Sequence, residues 1–185
     1  MWKYIKDIFN RLQQLLFKGK AAGQSTFIRV AYCVPRQIVL LTARHNNSEN
    51  VWPIDWHIPV SIKPELYAVS LNRGYGEELI RASGVFVVNF VPSDWEQAIF
   101  YCGKTSGRDE DKFATSGLKK SEASMINAPC LTEALGTLEC KVLNQIVAGD
   151  HVLYIAEVVH ATRNLDAKRL HHLDNSMADM TDNFE

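Results

Sequence analysis

The sequence has 185 residues, 46% of them hydrophobic, and a formal net charge of −1 from 20 basic and 21 acidic side chains. That length and apolar content predict one globular domain with a sizeable core and an appended arm. The charge balance excludes whole-surface attraction to nucleic acid or anionic lipid, and no run approaches the roughly 18 apolar residues of a membrane span, so neither partner is expected.

Residues 2–18 carry Trp2, Ile5, Phe9, Leu12 and Leu16 at three- and four-residue steps, which predicts an amphipathic helix. Lys3, Lys6, Arg11 and Lys18 fall elsewhere on it, and an arm packed on the domain or a partner subunit is preferred to a membrane-surface anchor. Charges interrupt this apolar segment, so no signal peptide is expected and the cytoplasm is the expected compartment. Gly19–Ser25 reads as a linker, which sets the arm at 1–25 and the domain at 26–185. Residues 27–34 and 37–44 are β-branched and apolar, with Pro35 between them, and predict two strands. Asn46–Asn50 reads as a turn before another short extended stretch. Strands follow at 66–72 and 84–91, around a short helix over Glu77–Ala82 that Gly84 stops. Ser93 and Asp94 are candidate caps for a helix reaching about Tyr101. Two longer strands near 134–147 and 151–163 meet at Ala148-Gly149-Asp150, a hairpin turn. Five or six strands with short helices between them, without βαβ alternation, predict a mainly β α+β barrel.

Several familiar chemistries are missing from the chain. Gly103-Lys104-Thr105 would need a glycine at position 98 to make a phosphate-binding P-loop, and Ala98 stands there. No G-x-G-x-x-G follows a strand, and no G-x-S-x-G is present. The cysteines at 33, 102, 130 and 140 form no C-x-x-C and no zinc spacing, so reduced thiols and no metal are expected. His171 and His172 lie in a polar stretch and read as solvated.

Two segments stand out. Asn50, Pro53 and Trp56 read N-x-x-P-x-x-W and precede Pro59-Val60-Ser61-x-x-Pro64. An amide and a large aromatic beside rigid prolines can frame a planar heterocycle, although a loop with a buried tryptophan has the same pattern. Cys102–Phe113 reads CGKTSGRDEDKF, in which glycines and basic or hydroxyl side chains can offer N–H groups and cations to an anion.

With Leu40-Leu41-Thr42, E-L-I-R-x-S-G-x-F-V-V-N at 78–89, Leu138–Val142 and Gly149-Asp150-His151, these segments resemble, in order, the flavin reductase-like, FMN-binding split-barrel family that includes the flavoredoxins. The resemblance covers roughly residues 28–163. It implies a split β-barrel with short peripheral helices, forming a homodimer that binds FMN near the subunit interface. It further implies cofactor contacts from Asn50, Trp56, Ser61, Lys112 and His151, with Arg108 in the signature and Phe184 as a C-terminal aromatic. FMN carries a phosphate that wants cations and N–H donors, and Lys112, Arg108, Arg73 and His151 are the candidate donors. The implied activity is a flavin reductase passing electrons from NADH or NADPH to flavin and on to an acceptor. A flavoredoxin-type carrier serving a protein redox partner and a non-redox flavin-binding module are the alternatives. Hydride transfer needs no catalytic acid or base, and none is assigned.

One departure matters. Many relatives place Arg-Tyr-Ser or Arg-Tyr-Thr before Glu-Leu-Ile, whereas here Gly74-Tyr75-Gly76 stands there, with the arginine shifted to Arg73. The missing hydroxyl at Gly76 predicts weaker, exchangeable FMN, partly compensated by the backbone N–H groups of Gly74 and Gly76 at the helix start.

Overall fold

The hairpin at Gly149 is the spine of the molecule. In a computed structural model that describes residues 35–163, 168–173 and 176–179, twelve strands and three α-helices follow the chain. They are β1 (Arg36–Gln37), β2 (Val39–His45), β3 (Ser48–Ile54), β4 (His57–Ile62), β5 (Glu65–Asn72), α1 (Tyr75–Ser83), β6 (Val85–Phe90), α2 (Glu96–Lys104), α3 (Lys112–Ser116), β7 (Lys120–Glu122), β8 (Pro129–Leu131), β9 (Gly136–Ala148), β10 (His151–Arg163), β11 (Leu170–Leu173) and β12 (Ser176–Asp179). The expected helix over 2–18, the linker at 19–25, the strand at 27–34 and Phe184 lie outside the described residues.

Seven antiparallel strands form the main sheet in the order β3-β2-β6-β9-β10-β5-β4. Its two edge strands are neighbours in sequence, joined by Asp55-Trp56 alone. Laid flat, seven strands would hold those edges roughly 29 Å apart. The three Cα steps from Ile54 to His57 reach only about 11 Å. The sheet therefore has to curl until β3 and β4 approach, and because they are not paired the barrel stays split there.

Alternation along the strands gives the barrel two buried faces. Val39, Leu41 and Ala43 of β2 point inward with Val69, Phe86, Val88 and Tyr154, while Leu40 and Val51 point outward under α2 and α3 with Ile99, Cys102 and Phe113. Asn89, which ends the E-L-I motif, is buried and structural: its Nδ2 donates to Leu40 O (3.0 Å) and its Oδ1 accepts from Leu131 N (2.8 Å).

The helix expected over Glu77–Ala82 is α1, ended by Gly84 at φ +72°. The hairpin joining β9 and β10 turns through Gly149 at φ +65°. Three expectations are corrected. The turn placed at Asn46–Asn50 is confined to Asn46-Asn47, because β3 begins at Ser48. Pro53 of the N-x-x-P-x-x-W segment lies within a strand rather than a loop, as does Pro59, which edge strands tolerate because an unpaired side needs no N–H. Ser93 and Asp94 form a short 3-10 turn before α2, which has no side-chain cap.

Candidate functional site

A cleft of about 350 Å³ opens where β3, the start of α1 and the end of α2 with the loop after it converge. Asn50 and Trp52 are two apart on β3 and so share a face. Asn72 ends β5, Gly74 precedes α1 and Gly76 lies in its first turn, Gly103 lies in the last turn of α2, and Ser106 and Gly107 belong to the loop that follows. Lys112, the first residue of α3, lies at its base and is only 4% exposed.

Lys112 ties the site together. Its Nζ donates to Val51 O (3.0 Å) on β3 and to Cys102 O (2.8 Å) in α2. An ammonium has three donors, so one remains. Burial pulls its pKa below the ordinary 10.5, and nearby Cys102 pushes back. Among the described residues no carboxylate pairs with it.

Two further features look for a ligand. Asn50 is 4% exposed, and its Oδ1 has no hydrogen-bond partner. The first N–H bonded within α1 is that of Glu78, to Gly74 O at 2.9 Å, which leaves the N–H groups of Tyr75, Gly76 and Glu77 without intrahelical acceptors at the cleft. These N–H groups and the α1 dipole favour negative charge. The Glu77 carboxylate is occupied elsewhere, accepting from the Tyr154 hydroxyl at 2.6 Å. Burial, with Glu77 adding to it, raises the Tyr154 pKa well above the usual phenol range.

Close packing shapes the cleft. A Cβ at Gly107 would meet Asn50 Oδ1 at 2.3 Å, and one at Gly76 would meet the Trp52 ring at 2.5 Å. The hydroxyl missing at position 76 is thus excluded by an indole, and any side chain there would displace it.

The structure brings Asn50, Gly76 and Lys112 into this one cleft. Arg108 sits at its rim, with its guanidinium 4.7 Å over the Tyr75 ring and paired to Glu78. Arg73 is exposed between Asn72 and Gly74, both of which line the cleft. His151 pairs with Asn72 across β10 and β5, so the two side chains share a face. Trp56 stacks on His151 at 4.7 Å. Trp56 is 38% exposed, which corrects the picture of a buried indole. Ser61 is half-buried further along β4 and does not line the cleft. The four candidate donors are not equally available: His151 Nδ1 lies 2.7 Å from Asp150, Arg108 is paired, and Lys112 retains one proton. Trp52, Asn72 and Tyr75 were missed by sequence reasoning. Trp52 was within reach, since it stands two residues from Asn50 on a strand.

The sequence pattern of the "Flavin reductase like domain" matches residues 31–181. The chain belongs to the flavin reductase-like family. It is 32% identical over 114 residues to a protein of Archaeoglobus fulgidus, covering 61% of this chain and 64% of that one. A relative in Aeropyrum pernix is 28% identical, and the match spans 51% of its length, so this chain covers about half to two-thirds of these first relatives. The NADH-dependent FMN reductase AsuE2 of Streptomyces nodosus subsp. asukaensis is 24% identical over 84% of both chains. Among solved structures, the 2-nitrobenzoate 2-nitroreductase NbaA of Pseudomonas fluorescens shares the fold with a TM-score of 0.78 at 18% identity, covering 91% of this chain and 92% of that one. The flavoredoxin of Methanosarcina acetivorans does so at 0.74 and 24%, covering 90% and 93%. The mainly β, split-barrel fold is that of the family. Among the described residues no helix is long and apolar enough to cross a membrane, and no three His, Cys, Asp or Glu side chains gather to hold a metal.

Proposed function

We propose that this chain binds FMN and works as a flavin reductase, drawing electrons from NADH or NADPH. The observation that carries the reading is the buried Lys112 ammonium, without a carboxylate, beside the open first turn of α1 and the unpartnered Asn50 oxygen. The cleft holds a cation, N–H donors and one orphan acceptor, which suits a phosphate with an adjoining hydroxyl or ring N–H. Lys112 and the N–H groups of Gly76 and its neighbours would hold the phosphate, with Arg108 and Arg73 at the rim. Asn50 would accept from the ligand. Trp56 and His151 would flank the ring system, with Ser61 and Phe184 completing its surroundings. When bound, the flavin supplies the hydride and electron chemistry, and this chain's residues bind, orient and shield it. The family membership and the likeness to AsuE2 support the same reading.

The functional unit is proposed to be a homodimer of a domain spanning 26–185. Apolar side chains exposed on β4 and the distal half of β9 support that assembly, since monomers rarely leave such groups bare. Because Trp52 fills the space beside Gly76, FMN is proposed to exchange rather than stay resident.

The test is a visible-absorbance titration of the purified protein with FMN, followed by anaerobic addition of each nicotinamide. Saturable micromolar binding and rapid bleaching are expected. Nanomolar affinity would refute the exchange. FMN binding without bleaching by either nucleotide would leave a flavoredoxin-type carrier, and no FMN uptake would remove both.

A further inference from the structure

Two carboxylates, Glu77 and Glu78, stand in the first turn of α1, yet no side chain caps the helix. Glu77 is the third residue of α1, after Tyr75 and Gly76, with Gly74 as the N-cap. A glutamate at that position can fold back onto the N–H at the start of its own helix, as in a capping box. Here the carboxylate is instead buried and accepts from the Tyr154 hydroxyl at 2.6 Å, with Arg81 one turn further along at 3.7 Å. Glu78 is paired with Arg108.

We propose that Tyr154 is a positioning residue for anion binding: by holding the Glu77 carboxylate in the barrel core, it keeps the first turn of α1 open to a phosphate. This role rests on the anion-binding reading of the Lys112 cleft.

Tyr154 is well built to hold a partner still. It is fully buried in β10 among inward side chains that include Val69, Phe86 and Val88. It pairs with Val69 of β5 on one side and Gln145 of β9 on the other, so strands fix it from both flanks. Burial first, and then Glu77, raise its pKa, so the hydroxyl keeps its proton and donates it to the carboxylate. Glu77 in turn lies three residues before Ile80, on the face of α1 that the barrel buries.

Electrostatics explains why this bond matters at the cleft. The N–H groups of Tyr75, Gly76 and Glu77 lack intrahelical acceptors, and Gly74 has no side chain to cap them. Released from Tyr154, the Glu77 carboxylate would be an acceptor within its own turn. Its charge would then answer the α1 dipole in place of a phosphate. Held in the core with Arg81 beside it, it leaves the N–H groups to the ligand. The carboxylate itself is therefore not needed for binding, whereas its restraint is.

The test compares wild type, Tyr154→Phe, Glu77→Gln and the double variant. Each is titrated by fluorescence with FMN and with riboflavin, which lacks the phosphate. Tyr154→Phe is expected to bind FMN roughly tenfold more weakly and riboflavin as the wild type does. Glu77→Gln should bind FMN at least as tightly as the wild type, because its amide carries no charge. The double variant should recover FMN binding, because no carboxylate remains to be released. Equal losses of FMN and riboflavin in Tyr154→Phe would mean a loosened barrel and overturn the proposal. So would a double variant as weak as Tyr154→Phe, or weaker FMN binding by Glu77→Gln, which keeps the test decisive if Tyr154→Phe fails to fold. Inorganic phosphate, read at the Gly76 backbone N–H by NMR, tests the same variants without flavin. The same order of phosphate affinities in protein that takes up no FMN would uphold the role of Tyr154 and remove the flavin reading. A Gly76 N–H that phosphate leaves unmoved would overturn the proposal even if FMN binds.

Discussion

Lys112 does a job that a surface lysine could not. Its ammonium closes two main-chain carbonyls from different elements, Val51 O and Cys102 O, and so fixes the C-terminal end of α2 against β3. Replacing it with methionine keeps the apolar stem and leaves both acceptors unpaired, at roughly 1–3 kcal/mol each. Relief from burying a cation offsets part of that. Lys112→Met is expected to lose about 1–3 kcal/mol in urea denaturation and to bind FMN at least tenfold more weakly. An unchanged urea midpoint would show that the two bonds do not hold the end of α2. Arg108 offers a contrast. Its pairing with Glu78 is largely solvent-exposed, and exposed pairs contribute little to stability.

At the scale of elements, the link between β3 and β4 is clasped to β11. Asp55 in the link meets Arg36 of β1 and His172 of β11. His172 Nδ1 donates to Asp55, so its approach to Arg36 at 3.3 Å is a contact between two donors and not a bond. Burial alone would raise the Asp55 pKa, but the bonds from His172 and then Arg36 more than offset it, and it lies below the ordinary 3.8. A depressed carboxyl contributes stability above its unfolded pKa and loses it as pH falls through the folded value. Buried His57, depressed from 6.5, adds a second window. Below about 6.5 the unfolded chain takes up a proton that the folded ring resists, so acid erodes stability there too. Urea midpoints should be level from pH 8 to 7, decline below 6.5 and fall more steeply below 4. Asp55→Asn is expected to cost about 1–2 kcal/mol at pH 7 and to flatten the lower window. A wild-type midpoint that stays level down to pH 5 would show that His57 is not held neutral.

How legible these elements were follows from how local their causes are. The helix α1 and its stop at Gly84, or β9 and β10 around Gly149, are written in contiguous periodicity and turn residues. The strands β3 and β4 hide behind Pro53 and Pro59, tolerable only because tertiary structure leaves them on the sheet edges. Asn50, Gly76 and Lys112 were reachable through the family resemblance, but the residues alone would have left Lys112 as a surface charge. Asp55 and His172, 117 positions apart, meet only because the sheet closes, and no local pattern encodes that.

The whole molecule leaves apolar surface that a lone barrel does not account for. Residues 143–148 of β9 are all exposed, Leu143, Ile146 and Val147 among them, and β4 presents Ile58, Val60 and Ile62, the last 86% exposed. Both segments flank the Trp56–His151 stack in the chain: β4 begins beside Trp56, and β9 ends at the turn before His151. A second copy covering them would exclude water from the proposed ring site, so assembly and flavin binding should be coupled. Light scattering is expected to give a two-chain mass for the wild type. Ile62→Lys and Val147→Lys, made separately at exposed positions, should each shift the mass toward one chain without changing the far-UV circular dichroism. Because one protomer would lack the cover its partner supplies, FMN affinity should fall in step with dissociation, by tenfold or more. A one-chain mass for the wild type would overturn the assembly. Monomeric variants that bind FMN as well as the wild type would show instead that each barrel holds flavin with its own Lys112 cleft alone.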